Sequence, residues 1–73
     1  MLSDIECVTA VFNYGKDNWM KLLEWNETNH ILNSEDIKFI NKAVNFEKKI
    51  PQDKECVKII KILNDARDEG FPI

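Results

Sequence analysis

Asp53-Lys54-Glu55-Cys56-Val57-Lys58-Ile59-Ile60-Lys61-Ile62-Leu63-Asn64-Asp65-Ala66-Arg67-Asp68-Glu69-Gly70-Phe71-Pro72 is the stretch on which the fold turns. Wound at 100° per residue, Cys56, Val57, Ile59, Ile60, Ile62, Leu63 and Ala66 cover an arc of about 220°. Lys54, Lys58, Lys61, Asp65, Asp68 and Glu69 fill the remaining side. That pattern predicts a helix over 53–69, and the breadth of its apolar arc puts it at the centre of a domain. Gly70 supplies the left-handed residue past a helix end, Phe71 its apolar partner and Pro72 a block to further winding, the signature of a Schellman stop.

Working upstream, Pro51 steers Ile50 out of the helical region, so a preceding helix must finish there. Its start is marked by Asn33 as cap and Asp36 at the third helical position, with Leu32 and Ile37 placed to form a hydrophobic staple. Over 34–49, Ile37, Ile40 and Val44 make one stripe and Phe39, Ala43 and Phe46 an adjoining one, while Lys38, Asn41, Lys42 and Asn45 face away. Before it, Asp17 is placed to cap a helix over 17–29 on which Trp19, Met20, Leu22, Leu23 and Trp25 also cover about 220°. Asn29-His30 then provides a turn, since Asn tolerates the left-handed conformation. Ser3 and Glu6 have the form of a capping box for a segment over 4–14 that stops at Gly15. The β-branched interior of that segment fits a strand equally well, and the cap and the glycine favour helix. Short connections favour antiparallel neighbours. The expected fold is all-α: a small antiparallel helical bundle of three to four helices in one domain, 1–73.

The chain has 73 residues, too few for two domains, and it buries only about 60% of the surface its unfolded form exposes. Two Gly and two Pro beside seven aromatic residues exclude a disordered or collagen-like chain. No apolar run reaches the roughly 18 residues of a membrane span, and the start lacks the apolar region of a secretory signal. Cys7 and Cys56 stand far apart with no CxxC pair, which favours a reducing, cytoplasmic setting; a single bridge requires the first and last helices to pack side by side. In that setting the sequon Asn26-Glu27-Thr28 is inert.

Charge is unevenly spread. Residues 1–37 hold two Lys against seven acids, whereas 38–61 hold seven Lys against three acids, within a net charge of −3. Converging metal ligands are missing: His30 is the one imidazole, and both cysteines fall on apolar helical faces. Glu35-Asp36 suits the positive end of a helix, and Asp68-Glu69 lies at a helix end; neither pair has an enclosed cleft around it. The expectation is no catalysis, no metal, no cofactor and no small-molecule substrate.

Three kinds of binding remain. Two helices with apolar arcs near 220° carry more apolar surface than a small core hides, so Trp25, Phe39 and Phe46 are the residues expected to meet another protein or a second copy in a homodimer. Trp19 is assigned to the core, and cover by the N-terminal segment is the alternative fate of the aromatic surface. A second possibility is nucleic acid, with Lys48, Lys49, Lys54, Lys58 and Lys61 contacting phosphates. Asp65 and Asp68 oppose it by continuing the same stripe, and the stripe has no Arg, Asn or Gln to read bases. A third is a small acidic phage-type inhibitor of a host enzyme, whose carboxylates in 1–37 would stand in for phosphates.

The succession Trp19, Leu22, Trp25-Asn26, Leu32, Glu35, Ile50-Pro51, Ile60, Leu63, Ala66 and Glu69-Gly70-Phe71 resembles the small helical C-terminal segment of abortive-infection phage-resistance proteins. The resemblance covers residues 19–71 and rests on apolar spacing plus the Ile-Pro and Glu-Gly-Phe punctuation. It implies a module attached to a bacterial defence protein, or a free-standing relative. It carries over no catalytic residue, because no motif of the family's larger body is present.

Overall fold

The computed structural model describes residues 4–72. They form four helices: α1 (Asp4–Tyr14), α2 (Lys16–Asn29), α3 (Ser34–Val44) and α4 (Asp53–Asp68), and the fold is an all-α bundle. The radius of gyration, 11.2 Å, matches the roughly 11 Å expected of a compact chain of this length.

The segment that fits helix or strand by local preference is helical. Cys7 and Val11, one turn apart, are both buried, and α1 makes its most extensive contact with α4. In a strand the same face would also carry Ile5 and Thr9, both of which are exposed. The expected Ser3 cap lies outside the described residues. Gly15 alone joins α1 to α2, at φ 92° and ψ 145°, a region essentially closed to residues with a side chain. Gly15, and not Asp17, is the cap of α2; Asp17 sits in the first turn, where its charge suits the helix dipole. At the other end the left-handed residue is His30 (φ 53°), one position later than Asn29.

α3 begins as expected, with the Asn33 side chain accepting from the Asp36 N–H at 2.8 Å and the Asp36 carboxylate facing the Asn33 N–H. It ends at Val44, five residues short of the expected 49. Asn45 leaves the helical region, and its carbonyl accepts from Lys48 and Lys49, so that 45–49 form a turn. That turn, and not Pro51 alone, reverses the chain. α4 starts from Gln52, whose N–H donates to the Glu55 carboxylate at 3.0 Å. Its end is a Schellman stop: Phe71 N–H to the Ala66 carbonyl at 3.0 Å and Gly70 N–H to Arg67 at 3.1 Å, with Gly70 at φ 110°.

α4 borders both α1 and α3, α2 packs on α3, and α2 touches α1 less extensively. α3 and α4 run antiparallel, since Lys42 near the end of α3 pairs with Glu55 in the first turn of α4. The largest fully buried side chains are Trp19, Leu22, Ile40, Ile59, Val11 and Cys56, contributed by all four helices. Phe71 folds back beyond α4 and is buried, its ring edge-on to Trp25 with centroids 5.4 Å apart.

Candidate interaction surfaces

The bundle hides Trp19, Ile59, Ile62 and Phe71, but leaves other large apolar side chains in solvent. Ile5 is 73% exposed, Ile50 65% and Phe12 60%. On α1, Ile5 and Phe12 lie two turns apart on one side, about 130° round the helix from the Cys7–Val11 seam that meets the core. α1 is therefore apolar beyond the seam that meets the core, and most of that second face stays exposed. Phe12 leans on Phe46, with ring centroids 5.5 Å apart and planes tilted by 46°. The turn after α3 holds Phe46 there, and the result is an apolar ridge running from α1 onto the bend that leads to Ile50.

Of the three aromatic residues expected to carry a contact, Phe46 belongs to this ridge. Trp25 and Phe39 have other neighbours. Trp25 is half-buried beside Phe71 and borders a shallow groove with Tyr14, Asn18 and Pro72. Phe39 is half-buried on α3, with the Lys42 ammonium 5.2 Å from its ring centre. Each packs against the core by one side. Ile5 and Phe12 were not singled out from the sequence, because a segment whose own secondary structure is ambiguous has no readable faces.

Of the five lysines expected in one row, Lys54, Lys58 and Lys61 recur on one face of α4. Lys61 pairs with Asp65 at 3.4 Å, and Lys58 and Lys61 share a groove with Asp36 and Asp65. Lys48 and Lys54 are exposed. Lys49 instead joins Lys38 and Lys42 around a cleft of about 220 Å³ between α3 and α4, with Asn41, Asn45, Pro51 and Glu55. Lys42 holds the Glu55 carboxyl below its ordinary range by hydrogen bonding to it, and the Gln52 N–H adds to that effect. Lys38 and Lys42 could be read on one side of α3 from their spacing, but only the turn at 45–49 brings Lys49 to them.

Both cysteines are buried, on helices that do pack side by side. Burial pushes the Cys56 thiol up to about 11, with Asp53, Cys7 and Glu55 adding to the rise. Such a thiol is almost wholly protonated near neutral pH and is a poor nucleophile. His30 is exposed, and among the described residues no group of three His, Cys, Asp or Glu is placed to hold a metal ion. No helix among the described residues is long and apolar enough to cross a membrane.

Fold and surface together define a small all-α bundle with an exposed apolar ridge and a lysine-lined cleft. No family model, curated protein or solved structure matches the chain.

Proposed function

We propose that the protein is a non-catalytic protein-interaction module of the cytoplasm, which docks another protein on the ridge formed by Ile5, Phe12 and Phe46. The observation that carries this is the second apolar face of α1: Ile5 and Phe12 stay 73% and 60% exposed while Cys7 and Val11 of the same helix are buried. Aromatic and aliphatic side chains held in a fixed arrangement lose little entropy on docking and are the usual centre of a binding surface. The resemblance of residues 19–71 to the C-terminal segment of abortive-infection proteins supports a partner within bacterial phage defence.

The test is cross-linking from a photoreactive residue at position 16, on the chain next to the ridge, compared between the natural sequence and Phe12→Ser. Light scattering over about 5–200 µM accompanies it, since self-association depends on concentration. A cross-linked protein that disappears with Phe12→Ser, at unchanged helicity, supports docking on the ridge. A mass that doubles with concentration and reverts to monomer in Phe12→Ser identifies the partner as a second copy. Capture unaffected by Phe12→Ser overturns the proposal.

A further inference from the structure

The cleft between α3 and α4 has a composition unlike the rest of this acidic chain. Lys38, Lys42 and Lys49 converge on it against the single carboxylate of Glu55, in a protein of net charge −3. Lys42 is committed to Glu55. Among the described residues, no ion pair or hydrogen bond engages the ammonium of Lys38 or Lys49, although Lys49 adds to the field that holds the Glu55 carboxyl down, and both ammonium groups border one small space. Asn45 donates its amide to the Asn41 carbonyl at 3.0 Å, so the Asn41 side chain is the neutral donor in the wall. Lys42 lies in the last turn of α3, where a cation favours the helix dipole; Lys38, a turn earlier, and Lys49, in the turn that follows the helix, have no such role.

Two magnitudes decide what fits. At about 220 Å³ the cleft is smaller than the roughly 300–1,000 Å³ of sites that enclose a whole cofactor or drug-sized ligand, so it takes one side chain. The adjoining groove, which shares Lys38 and Lys42 with the cleft, carries the Glu35 carboxylate, so a row of phosphates laid past the cleft would meet that charge. The apolar wall of Pro51 and the lysine stems suits a short carbon stem beneath an anionic head. We propose that this cleft binds a single compact oxyanion carried on a peptide, the carboxylate or phosphate of one acidic or phosphorylated side chain, with Lys38 and Lys49 as its charge partners and Asn41 as its neutral donor. The site is separate from the Ile5–Phe12 ridge, and the two proposals fail separately.

The experiment is a nitrogen-15 NMR titration of the full chain with three probes: acetyl-Ala-Glu-Ala-amide, its phosphoserine counterpart and inorganic phosphate. Binding should move the side-chain amide signals of Asn41 and Asn45. Lys38→Gln and Lys49→Gln should each weaken it about two- to five-fold, the range of a partly exposed charge pair, while Lys16→Gln, on α2 and outside the cleft lining, leaves it unchanged. The better-bound peptide tells whether the natural group is a carboxylate or a phosphate, and Ile5→Ser, which cuts the ridge away from the 45–49 turn, should not alter either affinity. The proposal is overturned if the Asn41 and Asn45 signals stay still, if inorganic phosphate binds and neither peptide does, if Lys16→Gln weakens binding as much as Lys38→Gln, or if a generic DNA duplex binds at these amides more tightly than the peptides.

Discussion

The indole Nε1 of Trp19 donates to the backbone carbonyl of Val11 at 3.0 Å, in a site closed to solvent. Val11 lies in the last turn of α1, whose carbonyls have no partner within the helix. Asn18 supplies the same service to Tyr14, its amide 2.5 Å from that carbonyl. Side chains of α2 thus complete the end of α1, and the one-residue junction at Gly15 is what holds them close enough to do so.

Replacing Trp19 by Phe should therefore destabilise the protein by about 2–4 kcal/mol, because a buried carbonyl loses its donor and a void opens beside it. For a chain of this size, with roughly 4–10 kcal/mol in hand, that is a large share. Urea unfolding followed by circular dichroism measures it. Trp25→Phe, which keeps an aromatic ring against Phe71, should cost less than half as much.

The two glycines make a matched comparison. Neither Gly15 nor Gly70 has another atom within 4 Å of the place a Cβ would occupy, so any cost of Ala comes from the backbone alone. Gly70 occupies the left-handed cap of α4 and Gly15 an extended conformation with positive φ. Gly70→Ala should cost about 1–2 kcal/mol and Gly15→Ala about 1–3 kcal/mol, read as shifts in unfolding midpoint at unchanged slope.

Glu55 makes stability depend on acid. Its folded value lies below the usual 4.5, chiefly through Lys42, so the stability it contributes is complete above that pH and is lost as pH falls through the lowered value. Glu55→Gln should remove this contribution: the two proteins should differ most near neutrality and converge in strong acid. Chemical unfolding at a series of pH values from neutral to strongly acidic tests it, and parallel curves would contradict it.

The Cys56 thiol, buried and pushed up to about 11, should resist disulfide reagents at pH 8 in the folded protein and react at once on unfolding. With Cys7→Ser as background, the labelling rate should fall as stability rises. A rapid reaction in native buffer would place the thiol in solvent.

Much of the architecture stands in the chain's local signals. α4 and its stop at Gly70-Phe71 follow from a 3.6-residue apolar period and a positive-φ residue, both properties of neighbours in sequence. The Asn33–Asp36 cap is equally local. What escaped local signals depended on distant partners. α1 is a helix because Cys7 and Val11 find α4 to pack against; its own composition leaves the question open. α3 stops at Val44 because the turn at 45–49 brings Phe46 to Phe12 and Lys49 to Lys38 and Lys42. Asn26, unremarkable as one residue of a sequon, is buried with its side-chain Oδ1 accepting from the Leu32 N–H at 2.7 Å, pinning the chain as it leaves α2. Periodicity and capping act within a few residues, so they can be read along the chain. The ridge and the cleft join residues far apart in sequence, and such pairs meet only after the helices have packed.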